Sequence, residues 1–284
     1  MPEISVRGLE MPESPIRKLA PLAAAAKERG TKVYHLNIGQ PDLPTPQCGL
    51  DALKNIDRKI LEYSPSQGNL SYRKKLCDFY KKFNINVTPD DIIITSGGSE
   101  AVLFSFMSCL NPGDEIIIPE PAYANYMAFA ISAGAKIKTI ATSIEEGFAL
   151  PKVEQFEKLI NERTRAIMIC NPNNPTGTYE SVEDIRKFVA AVPKETLVIV
   201  DEAYIDFVTS VAVPTARALL DEFPNVAIMR TFSKAYGLAN YRVGYMMTPL
   251  ELANYMQTIR LPYNLNTLSQ VAAEAAFDDQ QFLA

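Results

Sequence analysis

The sequence predicts an α/β fold built around a mainly parallel sheet. Short apolar runs of strand length alternate with longer helix-forming segments along most of the chain, an alternation typical of parallel sheets. The length of 284 residues suits one large domain, or a large domain together with a small one. A hydrophobic content of 47% permits a sizeable core for either arrangement.

The N-terminal part of the chain predicts a helix and a loop before the first sheet strand. Ser14 and Pro15 suggest the N-cap and first-turn proline of an alanine-rich helix that runs to about Arg29. A short extended segment over residues 33–38 follows. The next loop, at 39–46, contains glycine and prolines. Its residues alone favour a linker, the alternative being a glycine loop that lets the backbone approach a ligand.

Strands and helices alternate through the remainder of the chain. The predicted strands cover residues 91–95, 115–118, 136–140, 165–170, 197–200, 225–229 and 243–246. The predicted helices cover residues 71–83, 101–110, 123–131, 152–160, 180–191, 249–260 and 265–277. Gly97 and Gly98 follow the first strand and precede a helix, which predicts an anion site formed by backbone N–H groups.

Several polar residues follow directly after predicted strands. They are the turn Ser96-Gly97-Gly98 and the side chains of Tyr123, Asn174, Asp201 and Tyr204. Because ligands bind at the carboxyl ends of strands in open parallel sheets, we expect these residues to share one cleft. Asp201 also has a plainer interpretation, as a helix cap or a surface carboxylate, since an acid at the end of a buried strand needs a cationic partner.

Lys234 lies on a predicted turn between two strands, where its side chain can point into the same cleft. Thr231 and Ser233 precede it, and Arg242 follows eight positions later. An amine can capture an aldehyde as a Schiff base, while hydroxyls and a guanidinium can hold a phosphate. The stretch therefore suits a phosphate-bearing aldehyde cofactor, although a lysine near hydroxyls is by itself more often a solvated surface residue.

Composition argues against several other classes of function. The net charge of −5 and the lack of a long basic run argue against nucleic acid as a main partner. No apolar run reaches the length of a membrane span, and the N-terminus lacks the form of a signal peptide. The four scattered cysteines predict reduced thiols in a cytoplasmic protein. The single histidine, His35, excludes a multi-histidine metal site and argues against a Ser-His-Asp triad, so no metal is predicted.

Three motifs, in this order along the chain, resemble the pyridoxal-phosphate-dependent aminotransferases of fold type I, class I/II. They are N-P-N-N-P-T-G at 171–177, D-E-A-Y at 201–204 and S-K-A-Y-G-L-A-N-Y-R-V-G-Y at 233–245. The resemblance begins at about Ser14 and runs to the end of the chain. It implies a three-layer fold with helices on both faces of a mainly parallel central sheet. It also implies a ping-pong transaminase that uses pyridoxal 5'-phosphate to move an amino group between an amino acid and a 2-oxo acid.

The resemblance also implies a role for each site residue. Lys234 would form the Schiff base and then move the substrate proton, which requires an amine with a depressed pKa. Asp201 would keep the pyridine nitrogen protonated, and Tyr204 and Asn174 would contact the phenolic oxygen. The other cofactor contacts would be Tyr123 on the ring face and Gly98, Ser99, Thr231, Ser233 and Arg242 at the phosphate. Gly39 and Asn174 would line the substrate side, and Tyr63 would reach the phosphate of a partner subunit, so a homodimer is implied.

The chain departs from the family pattern in two respects. It is expected to stop before the C-terminal part of the small domain, where the arginine that binds the substrate α-carboxylate lies. Residues 1–45 are then an N-terminal arm and small-domain segment, and 46–284 the large domain. The second departure is that I-G-Q-P-D and Y-S-P-S-Q-G resemble aspartate-type enzymes, whereas R-T-F-S-K-A-Y-G-L and R-L-P-Y-N-L-N resemble histidinol-phosphate aminotransferases.

Three alternatives remain open beside general amino-acid transamination. The first is transamination of histidinol phosphate. The second is decarboxylation or elimination on the same scaffold, since the bond that breaks is the one the substrate contacts hold perpendicular to the cofactor ring. The third is a non-enzymatic sensor domain of a transcription regulator, which the short segment before the first predicted helix disfavours.

Overall fold

The computed structural model describes residues 2–14, 16–211 and 215–283, so Pro15, the predicted first-turn proline, lies outside the described residues. The strands are β1 (Ile92–Thr95), β2 (Glu115–Glu120), β3 (Lys136–Ala141), β4 (Thr164–Cys170), β5 (Leu197–Asp201), β6 (Val226–Thr231) and β7 (Gly244–Met247). The helices are α1 (Val6–Glu10), α2 (Ala20–Glu28), α3 (Gln47–Lys54), α4 (Leu70–Lys81), α5 (Gly98–Cys109), α6 (Asn125–Ser132), α7 (Val153–Glu157), α8 (Val182–Ala191), α9 (Leu250–Ile259), α10 (Thr267–Asp278) and α11 (Gln280–Leu283).

The strands form one sheet in the order β1-β7-β6-β5-β4-β2-β3. β7 runs antiparallel to its neighbours β1 and β6, and the pairs β6–β5, β5–β4, β4–β2 and β2–β3 are parallel. The predicted α/β class with a mainly parallel sheet is therefore confirmed.

Each face of the sheet packs against its own layer of helices. Alternate strand residues belong to one core with α4, α8 and α10, for example Ile228 with Leu76 and Phe277. The intervening strand residues belong to a second core with α5, α6 and α9, for example Met229 with Ala101. Because side chains alternate along a strand, apolar residues on both faces produce the three-layer arrangement expected from the resemblance.

The carboxyl ends of the three central strands lie at one edge of the sheet. The register pairs Cys170 of β4 with Asp201 of β5, and Asp201 with Met229 of β6. β7 begins at the same edge, since Gly244 pairs with Thr231. The loops that follow β4, β5 and β6 therefore meet above this edge, and the chain between β6 and β7 returns to it.

Some predicted boundaries differ from the structure. The segment at 33–38 forms no strand and is largely exposed, because it pairs with no part of the sheet. α5 begins at Gly98, three residues earlier than predicted, and α7 covers only Val153–Glu157. β3, at the end of the strand order, carries two exposed lysines, Lys136 and Lys138. Among the described residues, no helix combines the length and apolar character needed to cross a bilayer.

Candidate active site

A cavity at the carboxyl edge of the sheet contains most of the predicted site residues. Its volume is about 130 Å³, and it is lined by Gly98, Ser99, Val102, Tyr123, Tyr126, Cys170, Asn174, Asp201, Ala203, Tyr204, Thr231, Ser233, Lys234 and Arg242. It adjoins a wider cleft of about 1040 Å³ that shares Lys234 and Tyr204 with the cavity and that Gly39 also lines. These residues come from the ends of β4, β5 and β6 and the loops that follow them, from the segment between β2 and the first turn of α6, and from the start of α5. Most of them lie at strand ends, as the strand-end argument predicts.

Lys234 lies in the turn that follows β6, where it lines both this cavity and the wider cleft. Its Nζ donates a 2.7 Å hydrogen bond to the carbonyl oxygen of Gly39 and lies 5.3 Å from the centre of the Tyr204 ring. Burial lowers the pKa of Lys234, and the charge of Arg242 acts in the same direction, while Asp201 opposes it. A lowered pKa increases the share of neutral, nucleophilic amine at a given pH.

Asp201 is the last residue of β5, and its carboxyl group is buried. Its Oδ2 accepts a 2.6 Å hydrogen bond from the hydroxyl of Tyr126, and its Oδ1 accepts a 2.9 Å bond from the amide of Ala203. Burial raises the pKa of Asp201, whereas these two donors and Lys234 lower it. Since both oxygens accept hydrogen bonds, the arrangement fits a carboxylate that can face a protonated ring nitrogen.

Asn174 and Tyr204 meet between the loops that follow β4 and β5. The Asn174 Nδ2 donates to the Tyr204 hydroxyl at 3.2 Å. Asn174 stands before Pro175 in the loop after β4, which restricts its backbone and fixes the amide. The two side chains thus present hydrogen-bonding groups to the cavity that Lys234 also lines.

Hydroxyls, a guanidinium and a helix start form a corner suited to an anion. Arg242 Nη1 donates to the Ser233 Oγ at 3.2 Å, and Thr231 Oγ1 lies 3.0 Å from the same atom. α5 begins at Gly98, so its free N–H groups and dipole face this corner. Gly97 has φ +74°, and a Cβ there would lie 2.3 Å from Arg242 Nη2, so only glycine lets the guanidinium lie against the turn.

Two predicted residues stand apart from the cavity. Tyr63 is 78% exposed and stacks on Tyr263 at a ring-centroid distance of 4.4 Å. It does not line this chain's own cavity, and its predicted contact was with a partner subunit. Gly39 lies at the cleft side of Lys234, where a Cβ would be 3.2 Å from the Tyr204 hydroxyl.

Sequence reasoning missed Tyr126, whose hydroxyl donates a hydrogen bond to the Asp201 carboxyl group. Tyr126 lies in the first turn of α6, and its amide donates a 3.0 Å hydrogen bond to the carbonyl of Tyr123, which precedes the helix. Their rings meet edge to face at 5.3 Å. An aromatic residue at the start of a helix has the same sequence appearance whether it packs in a core or binds a carboxylate, so no sequence signal marked Tyr126. Cys170 and Val102 also line the cavity, and nothing in their sequence context marked them.

The cavity's chemistry fits pyridoxal 5'-phosphate. An amine, a buried carboxylate, a hydroxyl–amide pair and an anion corner surround one space, and these groups match the aldehyde, ring nitrogen, phenolic oxygen and phosphate of that molecule. The glycine turn at Gly97, with no room for a Cβ, is consistent with a close approach of backbone to the anion.

Sequence comparison and structure comparison both match this chain to aminotransferases. The family model described as aminotransferase class I and II matches residues 31–284. A histidinol-phosphate aminotransferase of Lactiplantibacillus plantarum is 37% identical over 264 residues, which cover 93% of this chain and 72% of that protein. One from Limosilactobacillus fermentum is 44% identical over 204 residues, or 70% of this chain and 55% of that protein.

Solved structures of aminotransferases resemble the fold closely. The aspartate aminotransferase of Thermotoga maritima has a TM-score of 0.89 at 28% identity, covering 97% of this chain and 74% of that one. An alanine aminotransferase from Pyrococcus furiosus has a TM-score of 0.86 at 32% identity, covering 99% and 74%. The matched part is thus little more than half of the Limosilactobacillus fermentum protein and about three quarters of these solved chains.

Proposed function

Because this chain belongs to the class I and II aminotransferases, which use pyridoxal 5'-phosphate, we propose that the protein moves an amino group between an amino acid and a 2-oxo acid. The observation that carries the proposal is that the Lys234 amine, the Asp201 carboxylate and the Asn174 amide line a single cavity. When bound, the cofactor supplies an aldehyde that reacts reversibly with amines and a ring that accepts an electron pair.

Lys234 is proposed to do two things in this reaction. Its amine would hold the cofactor covalently, and once a substrate amine has displaced it, the same nitrogen would move the proton between the substrate Cα and the cofactor. Burial and Arg242, which lower the pKa of Lys234, support this role, because a base must be neutral to accept a proton. Asp201 is proposed to keep a proton on the ring nitrogen, and its buried, doubly hydrogen-bonded carboxyl group supports that.

The remaining side chains are proposed to orient the cofactor and the substrate. Tyr204 and Asn174 bind the phenolic oxygen, and Tyr123 covers one ring face. The phosphate is held by backbone and side-chain donors of Gly98, Ser99, Thr231, Ser233 and Arg242. Gly39 and Asn174 lie toward the substrate. The shared cavity, the hydrogen bonds among these residues and the place of Gly39 in the adjoining cleft support this assignment.

A homodimer is part of the proposal. Tyr63 and its neighbour Leu61 are exposed, as are Leu261 and Tyr263 of the loop before α10, which together leave an apolar surface beside the stacked tyrosines. Tyr63 is proposed to cross this surface and bind the phosphate in the partner subunit. Residues 1–45 are proposed as an N-terminal arm and small-domain segment, and 46–284 as the large domain. A cytoplasmic location is proposed because all four cysteines are free thiols.

The substrate has two candidates. General amino-acid transamination is supported by the fold's likeness to aspartate and alanine aminotransferases. Histidinol-phosphate transamination is supported by the names of the curated relatives at 37% and 44% identity.

One experiment tests the proposed function. The purified chain is loaded with pyridoxal 5'-phosphate and incubated with a panel of amino acids, or with histidinol phosphate, plus 2-oxoglutarate. Glutamate and carbon dioxide are measured together. We expect glutamate without carbon dioxide, whereas carbon dioxide release without amino transfer would show a decarboxylase. Borohydride trapping should add the cofactor's mass at Lys234, and Lys234→Ala should lose the adduct while Lys187→Ala, at an exposed lysine, keeps it.

A further inference from the structure

A second set of buried polar groups lies close to the cavity without lining it. Here called the Arg230 cluster, it consists of Arg230, Glu202, Asp206, Tyr80 and Tyr245. Arg230 is only 5% exposed. Its Nη1 lies 3.5 Å from Glu202 Oε2, and its Nη2 lies 2.5 Å from Asp206 Oδ1. Nothing in the proposed reaction uses these charges, so their role needs another explanation.

Strand alternation places this cluster on the opposite face of the sheet from the cavity. On β6, Thr231 lines the cavity while the preceding Arg230 points to the other face, beside Tyr80. At the end of β5, Asp201 lines the cavity and the following Glu202 does not. The Glu202 amide donates to the Met229 carbonyl at 2.9 Å, and this backbone hydrogen bond joins the end of β5 to β6.

One guanidinium binds both sides of the loop that carries Tyr204. Glu202 is two residues before Tyr204, and Asp206 is two residues after it. Both carboxylates pair with Arg230, so the segment between them is fixed at each end to β6. The Tyr204 side chain, in the middle, projects into the cavity toward Asn174.

Further donors hold the cluster in a single arrangement. Glu202 Oε2 also accepts from Thr215 Oγ1 at 2.8 Å, and its Oε1 accepts from the Ala216 amide at 2.5 Å. The Tyr80 and Tyr245 hydroxyls are 3.0 Å apart, and the Tyr80 hydroxyl accepts from Arg230 Nη1 at 3.4 Å. A buried ion pair adds little net stability but tolerates few alternative geometries, because any displaced charge stays unpaired.

We propose that Arg230 is a positioning residue that, through Glu202 and Asp206, fixes the Tyr204 hydroxyl where it meets the phenolic oxygen of the cofactor. The proposal rests on the proposed function, which gives Tyr204 that contact. Arg230 lies on the other face of the sheet and does not line the cavity. Under this proposal it nevertheless influences the pKa of the bound cofactor, by way of Tyr204.

The test is a double-mutant cycle read by the pH titration of the bound cofactor's visible absorbance. Tyr204→Phe removes the donor to the phenolic oxygen, so that oxygen retains a neighbouring proton more strongly and the titration midpoint rises. Asp206→Asn releases one end of the loop and should raise the midpoint in the same direction but by less. In the Tyr204→Phe background, Asp206→Asn should produce no further shift, because its effect passes through Tyr204.

Three results overturn the proposal. If Tyr204→Phe shifts the titration midpoint and Asp206→Asn leaves it unchanged, the cluster does not position Tyr204. An equal shift from Asp206→Asn in both backgrounds shows a direct charge effect instead. A midpoint unchanged by Tyr204→Phe removes the contact assigned to Tyr204, and with it both that part of the proposed function and this inference.

Two further variants separate positioning from stability. In Glu202→Gln the new side chain has nearly the same shape as the native one, and the titration midpoint should shift as it does in Asp206→Asn. This variant tests the proposal if Asp206→Asn does not fold. The control is Glu115→Gln, which alters another buried carboxylate, paired with Arg163 at 3.1 Å and located at the start of β2. It should leave the titration midpoint unchanged, and a matching shift there would mean that any weakened ion pair in the sheet has this effect.

Discussion

The hydroxyl of Tyr126 lies 2.6 Å from Oδ2 of Asp201, and both side chains are buried between the sheet and α6. Tyr126 is 1% exposed and Asp201 is 9% exposed, so water has little access to the carboxyl group. A buried carboxylate depends on such donors, because its own desolvation acts against its charge. The Tyr126 hydrogen bond lowers the pKa of Asp201 against the effect of burial, and so favours the ionised form of this carboxyl group, although no sequence motif includes Tyr126.

Removing the Tyr126 hydroxyl should destabilise the fold. Tyr126→Phe takes one donor from a buried carboxylate, and we expect a loss of about 1–3 kcal/mol in the free energy of unfolding, measured by urea denaturation. Tyr72→Phe is the matched control, since the Tyr72 hydroxyl is also buried but has no hydrogen-bond partner among the described residues. That change should be neutral or stabilising, and equal losses for both variants would contradict the role of the Tyr126 hydrogen bond.

A methyl group at Gly97 should impair cofactor binding more than folding. Gly97→Ala and Gly113→Ala both place alanine at a positive φ, +74° and +93°, and backbone strain of this kind costs about 1–3 kcal/mol. Only at Gly97 does the new Cβ meet Arg242, whereas the space at Gly113 is open. We expect Gly97→Ala to weaken pyridoxal 5'-phosphate binding by about tenfold or more, since a charge-assisted contact is lost.

The measurement for this pair is equilibrium titration of the cofactor-free protein, followed by absorbance. Unfolding curves give the loss in the free energy of unfolding of each variant, and so measure the backbone strain separately from the effect on cofactor binding. If Gly113→Ala reduced affinity as much as Gly97→Ala, the guanidinium would not be the reason for glycine at this turn.

The pKa of Lys234 should respond in opposite directions to its two charged neighbours. Burial and Arg242 lower this pKa and Asp201 raises it, so Asp201→Asn should lower it further and Arg242→Gln should raise it. The rate at which an acylating reagent modifies Lys234 in the cofactor-free protein, followed by peptide mass spectrometry against pH, reports the pKa. In the unchanged protein the pKa of Lys234 should lie below the usual range of a lysine amine, because burial favours its neutral form. Shifts of the same sign in both variants would refute this electrostatic account.

Loss of the Arg230 charge should cost far more stability than loss of a surface arginine. Arg230→Met leaves Glu202 and Asp206 buried without their cation, and we expect a loss of about 3–5 kcal/mol in the free energy of unfolding. Arg186→Met removes the partner of Glu222, a pair whose side chains are 36% and 43% exposed, and should cost less than about 1 kcal/mol. Chemical denaturation of the two variants in the same buffer compares them directly.

Much of the site could be predicted because a parallel sheet brings its carboxyl strand ends together. Asn174 follows β4 and Asp201 is the last residue of β5, and the register of these two parallel strands places both residues at one edge of the sheet. Lys234 could be added because its loop connects β6 with the adjacent β7. These inferences needed only the strand positions, which apolar runs reveal well, and the parallel strand direction, which the alternation with helices indicates.

The misses share a different physical origin. Tyr126 acts within a helix, where an aromatic residue has the same sequence appearance whether it packs in a core or binds a carboxylate. Arg230 interrupts an apolar strand, and the cost of burying a charge was a signal that it had a partner, but sequence could not show that the partners flank Tyr204. Residues 33–38 have strand composition without a neighbouring strand, and pairing is a property of the tertiary fold.

β3 ends the sheet with Lys136 and Lys138 exposed, and in the described part of the chain β2 is its one paired neighbour. An outermost strand offers unpaired backbone groups that a strand from another molecule could join. Two ammonium groups on this strand make such an addition electrostatically costly when the incoming strand is another copy of itself. The two lysines therefore protect this edge strand against edge-to-edge aggregation. Replacing both with valine would make the edge prone to aggregate.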